Sequence, residues 1–151
     1  MTQSAMLKFS LDVIGNNLWK ATSKGSLDCV AYSPVYARIT GSVPAGILLA
    51  QILYWFRPDK KGLVKLRVKR NGRLLLAKST KEWVEETGLT PKQVRSAMAR
   101  LVDLGFVETK RHRFAGKVVV HVFLKEQAVL HGVALSYIKE PETQGPEKDV
   151  P

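Results

Sequence analysis

Shortages narrow the possibilities for this 151-residue chain before any motif is considered. A single cysteine, Cys29, excludes an intrachain disulfide and fits a reducing cytoplasm; its neighbours Val30 and Ala31 suit a buried structural thiol. The three histidines, His112, His121 and His131, stand at no metal-ligand spacing with one another or with Cys29, so no metal is expected. Acidic residues are scarce, 13 Asp and Glu against 24 Lys and Arg, and too scattered for a two-metal nuclease site. There is no GxxxxGKS/T phosphate loop, no GxSxG elbow and no HExxH helix, so neither a catalytic constellation nor a cofactor is expected, and the chain reads as a non-enzyme. The best membrane candidate, residues 47–56, is far shorter than the ~20 residues a span requires and contains Gln51, so it reads as a buried core helix. The start MTQSAMLKFS lacks the charged end and apolar run of a secretory signal. No internal repeat is apparent, and a cytoplasmic location off the membrane is the expectation.

What the chain has in excess is positive charge, +11 in total. Residues 140–151 hold Glu140, Glu142, Glu147 and Asp149 against Lys148 alone, so the body is more basic still. Such a field favours polyanions, nucleic acid first and anionic membrane second; the plain alternative is a basic protein that is merely soluble.

Residues 11–19 have roughly helical apolar spacing, undercut by Gly15-Asn16-Asn17, and residues 27–32 have the composition of a short strand. Ser33-Pro34 is a helix start, with a short helix over 35–40 ended by Gly41. Ser42-Val43-Pro44 opens a second helix reaching about Phe56, apolar around most of its circumference and so central to the core. Arg57-Pro58 stops it. Strict alternation over 63–70 predicts a strand with one wet face, Asn71-Gly72 a tight hairpin turn, and residues 73–78 the returning strand. Lys65, Arg67 and Lys69 would then project from one face, either as a solvated edge that discourages strand addition or as phosphate contacts.

Residues 79–105, STKEWVEETGLTPKQVRSAMARLVDLG, carry the densest signal. Ser79 with Glu82 and Thr90 with Gln93 are two capping boxes, Pro91 sits at a first helical position, and only Gly88-Leu89 separates the helices. Trp83 and Val84 face the core. In the second helix Val94, Ala97, Met98, Leu101 and Leu104 form a buried stripe, leaving Lys92, Gln93, Arg95, Ser96, Ala99 and Arg100 outside it. Small residues at 96 and 99 keep that face slim enough to enter a major groove, with Arg and Gln able to reach base edges; the alternative is an ordinary amphipathic surface helix. Residues 106–113 and 118–124 read as strands joined by a turn at 114–117, with Lys110, Arg111, His112, Arg113 and Lys117 clustered at the tip. That cluster is either a solvated loop or a contact to DNA backbone or minor groove.

The stretch KSTKEWVEETGLTPKQVRSAMARLVDLGFVETKRHRFAGKVVVHVFL resembles the winged-helix domain of replication-associated proteins of phages and plasmids. SPVYARITGSVPAGILLAQILYWF is similar to the helix pair that precedes that domain in many of them. The resemblance covers residues 32–124 and departs from the pattern in its long basic segment 57–73. It implies a recognition helix at 91–104 and a wing at 110–117. Winged helices also serve repressors and other regulators.

The expected fold is therefore α+β, a winged helix-turn-helix with an additional basic β-hairpin before it. Residues 1–31 are an N-terminal extension, 32–124 the winged-helix domain, 125–139 a patchy helical segment interrupted by Gly132, and 140–151 a disordered acidic tail. The apolar stretch 128–138 offers either packing on its own domain or a homodimer surface. The expected partner is double-stranded DNA. Gln93, Arg95, Ser96 and Arg100 would read bases or position the helix, and Lys92, Arg111, Arg113 and Lys117 would hold phosphates. Lys65, Arg67 and Lys69 would extend the track. A regulator unrelated to replication and a protein-interaction module are the competing expectations.

Overall fold

A computed structural model describes residues 2–14, 30–66 and 68–139. Cys29, Arg67, the segment 15–29 and the tail 140–151 lie outside the described residues. The first helix, α1 (Gln3–Ile14), begins earlier than the apolar spacing suggests, with the Thr2 hydroxyl accepting from the Ala5 amide at 3.1 Å. It leaves Met6, Leu7 and Phe9 exposed. Val30–Tyr32, the described part of the strand expected over 27–32, is not a strand.

Pro34 opens α2 (Pro34–Thr40), and the Ser42 hydroxyl caps α3 (Val43–Phe56) by accepting from the Ala45 amide at 3.3 Å. The two helices meet at 115°. Leu48, Leu49 and Ile52 of α3 are fully buried and form the centre of the core, as the all-round apolar pattern requires. Among the described residues no single helix is long and apolar enough to cross a membrane.

Two hairpins and two further helices complete the central part: β1 (Val68–Arg70), β2 (Arg73–Ala77), α4 (Thr80–Thr87), α5 (Pro91–Asp103), β3 (Val107–Phe114) and β4 (Lys117–Leu124). The strands form one antiparallel sheet in the order β1-β2-β4-β3. Leu76 pairs with Val122 and Val107 with Leu124, and these four buried residues define the sheet face packed on the helices. Period-two alternation sends Glu108, Lys110, His112 and Phe114, with His121 and Phe123, to the opposite, outer face. The result is an α+β fold in which a capped helix pair is followed at once by a hairpin.

Three expectations change. The strand expected over 63–70 is seen only at Val68–Arg70, and Asp59 draws its first residue into a turn. Its carboxylate accepts from the Lys61 and Leu63 amides at 2.8 and 2.9 Å, which commits the Leu63 amide to the turn rather than to a ladder. Leu104 is not in the buried stripe but 41% exposed. The helix ends there in a Schellman motif, with the Phe106 amide donating to the Leu101 carbonyl and the Gly105 amide to the Val102 carbonyl, both at 3.0 Å. That motif brings Phe106 onto Leu101 in the core in place of Leu104. Finally, Gly132 does not interrupt the last helix, α6 (Glu126–Lys139). A Cβ at that position would lie 3.2 Å from the Phe106 ring, so the glycine lets the helix seat against it. One side of α6 packs inward through Ala128, Val129 and Val133, while Leu130, Leu135, Tyr137 and Ile138 stay exposed.

Candidate nucleic-acid interface

The helix pair is held by the two capping boxes. The Ser79 amide donates to the Glu82 carboxylate at 2.9 Å and the Glu82 amide to the Ser79 hydroxyl at 3.2 Å. The matching Thr90–Gln93 distances are 3.0 and 3.1 Å. Gly88 closes α4 and Leu89 is buried in the turn. Beneath the pair lies a polar cluster that sequence reasoning missed. Glu86 accepts at one oxygen from Gln51 and the Trp55 indole, each at 2.8 Å, and pairs at the other with nearly buried Lys78. Lys78 also lies 4.0 Å over the Trp55 ring. Burial raises the Glu86 carboxyl, but hydrogen bonds from Lys78, Gln51 and Trp55 and the Lys78 charge outweigh it, holding its pKa below the ordinary 4.5. The cluster joins α3 and α4 to Lys78, just past the end of β2, and no simple sequence spacing announces it.

Anchored in this way, α5 turns one face out. Lys92, Gln93, Arg95, Ser96, Ala99 and Arg100 are all exposed, as the helical period predicts. Two open grooves flank them. One, of about 740 Å³, runs between α5 and the β3–β4 hairpin and includes Arg95, Lys110, Arg111 and Lys117 in its walls. The other, of about 650 Å³, lies toward the start of α3 and takes in Lys92, Gln93, Ser96 and Arg100. Asp103 borders both.

The six α5 positions are not equivalent. Arg100 donates through its Nε to the carbonyl of Thr40, at the end of α2. Its guanidinium also fills the space where Gly41 lacks a side chain. It is tied to the helix-end carbonyl, which counts against its expected role of reading bases. Gln93 uses its amide oxygen in the capping box, so its amide nitrogen is the group left to donate outward. Lys92, Arg95 and Ser96 stand on the outward face as expected.

The hairpin cations divide by strand face. Arg111 and Arg113 share the face of Val120 and Val118, toward α5, whereas Lys110 and His112 point to the outer side. Lys117 sits across from Phe114 at the tip. A two-residue turn, Ala115 at φ 52 and Gly116 at φ 82, closes the tip. Arg70, which sequence reasoning also passed over, reaches from the β1–β2 hairpin and donates to the Arg113 carbonyl at 3.2 Å. Desolvation, then Arg70, His121 and Lys110 nearby, hold the His112 imidazole below its ordinary 6.5. His121 lies beneath, fully buried; its Nδ1 is 2.9 Å from the Val119 carbonyl and its Nε2 has no partner.

The row expected from Lys65, Arg67 and Lys69 does not form. Lys65 is off the strand, its ammonium 3.4 Å from the Tyr54 carbonyl and 4.3 Å above the Tyr54 ring. Arg67 is outside the described residues. Lys69 is exposed on β1 and pairs with Leu74, on the face away from Arg70. The β1–β2 hairpin itself forms, with Asn71 at φ 53 and Gly72 at φ 78, as the Asn-Gly pair predicts. Compared with family models, curated proteins and solved structures, the chain matches none of them.

Proposed function

We propose that this chain is a winged-helix protein that binds specific sites in double-stranded DNA, with α5 as the recognition helix and the β3–β4 hairpin as the wing. The observation that carries the reading is the outward face of α5. Lys92, Arg95 and Ser96 stand exposed there, with small Ser96 and Ala99 keeping the face slim, and Arg95 borders a groove whose far wall includes Arg111 and Lys117. A slim helix with cations on both sides of a groove suits a major groove and its bordering phosphates. On this reading Arg95 and the Gln93 amide nitrogen address base edges. Lys92, Arg111, Arg113 and Lys117 hold phosphates, Ser96 supports either contact, and no chemistry is catalysed. The setting we propose is replication or gene control of a mobile element, in the cytoplasm.

A gel shift against pooled random duplexes, followed by sequencing of the bound fraction, tests the reading. Enrichment of one motif supports it, and no retained duplex at low salt ends it. Repeated copies of the motif at an origin favour replication, and a palindrome over a promoter favours repression. A second reading, a protein-docking module, draws on exposed Val102 and Val118 in the same groove and on the exposed apolar side of α6. It gains ground if the protein ignores DNA, and a homodimer through α6 would appear in sedimentation.

A further inference from the structure

The wing ends on an exposed aromatic ring. Phe114 is the last residue of β3 and remains 43% exposed. Its one described ring contact is edge-on to His121, with centroids 6.1 Å apart and planes at 77°. His112 meets the same imidazole edge-on at 5.0 Å. Two exposed cations border the ring: Lys117 lies directly across the strand pair, and Arg70 reaches to the Arg113 carbonyl beside it, while the Arg113 side chain turns to the opposite face. The two-residue turn and the Arg70 bond fix the tip, so the ring is presented on a braced support.

A planar apolar ring bordered by cations matches a ligand that has a π face with negative charge beside it. A nucleotide has both in every unit; an acidic peptide has both only where an aromatic side chain stands beside the acid. In intact duplex the faces of the bases are covered by stacking, so the ring needs a base already out of the stack or one it can wedge free. We infer that the wing tip holds one unstacked DNA base, with Phe114 stacking on it and Lys117 and Arg70 on the flanking phosphates. This rests on the DNA-binding reading and adds a preference for locally unpaired DNA, which α5 alone does not supply.

Fluorescence anisotropy on the full chain tests it with two labelled DNAs of one sequence, a fully paired duplex and the same duplex with a single 2-aminopurine bulge. Stacking of one base corresponds to a preference of about tenfold for the bulged duplex, and it quenches 2-aminopurine emission. Phe114→Leu should abolish both the preference and the quenching, Phe114→Trp should retain them, and affinity for paired duplex should stay within about twofold in each. Thermal melting checks that both variants fold. Equal affinity of the native chain for the two DNAs overturns the inference, as does a preference that survives Phe114→Leu. Binding to neither DNA at low salt, where phosphate contacts should hold any duplex, instead overturns the DNA-binding reading itself, while tight paired-duplex binding without a bulge preference overturns only the role of Phe114.

Discussion

At the scale of single residues, two arginines on one helix have opposite assignments. Arg95 faces the groove, while Arg100 is bonded to the end of α2. Arg95→Ala should weaken binding to the preferred duplex by about 1–3 kcal/mol if it reads a base edge. Its stability should stay within about 0.5 kcal/mol of the native chain, as for other surface changes. Arg100→Ala should show the reverse balance, losing about 1 kcal/mol of stability with its hydrogen bond to Thr40 while duplex binding stays close to native. Urea unfolding and gel shifts on the same preparations separate the two, and an Arg100→Ala protein of native stability would contradict its assignment. Glu86 gives a pH signature. Its folded pKa is depressed, so its contribution to stability is complete above the unfolded value near 4.5 and fades as pH falls through the folded value. Glu86→Gln should therefore flatten the acid side of the stability profile. Lys78→Met should cost roughly 2 kcal/mol at neutral pH, less than the loss from a fully buried pair because Glu86 is partly exposed. Unfolding followed from pH 7 to 3 gives both numbers.

At the scale of elements, what could be read from sequence was whatever is fixed by neighbours within four or five positions. Both capping boxes, the Asn-Gly turn and the turn at 114–117 between two strands are local, and each appears where its residues predict. Removing the Ser79 or Thr90 hydroxyl by Ala should cost about 1 kcal/mol per helix, read as a shift in unfolding midpoint. The misread elements were decided from farther away or by a rival local signal. The start of the alternation, at Leu63, lost to the side chain of Asp59, which offered the backbone a turn. Gly132 looked like a helix breaker because the ring of Phe106, 26 positions earlier, is invisible in a window around it. Gly132→Val should overpack that contact and destabilise by about 1–3 kcal/mol, where an exposed mid-helix glycine would tolerate the change. An unchanged melting point would show that α6 does not need the small residue.

At the scale of the whole molecule, charge predicted the kind of partner better than its place. The excess of 24 bases over 13 acids was legible at once. How the fold distributes them was not, because pairing uses some of them: Lys78 with Glu86, and Arg73 with Glu108 at 3.6 Å. If Lys92, Arg111, Arg113 and Lys117 each neutralise a phosphate, the logarithm of the association constant should fall with the logarithm of salt at a slope of about −3 to −4. Replacing Arg111 and Arg113 with Gln should reduce that slope by about two units and weaken binding alike on all sequences. A slope near zero in titrations from 50 to 300 mM salt would leave the positive charge without a binding role.

The bond from Arg70 to the Arg113 carbonyl links the two hairpins, and its consequence concerns measurement of length. A wing on a loose hinge adapts its reach to each site, whereas one tied back to a neighbouring hairpin keeps a set distance from α5. On the DNA-binding reading, the chain then acts as a ruler with fixed divisions. Its footprint should span the same number of base pairs on strong and weak sites, and inserting one base pair between the segments met by helix and wing should break recognition outright.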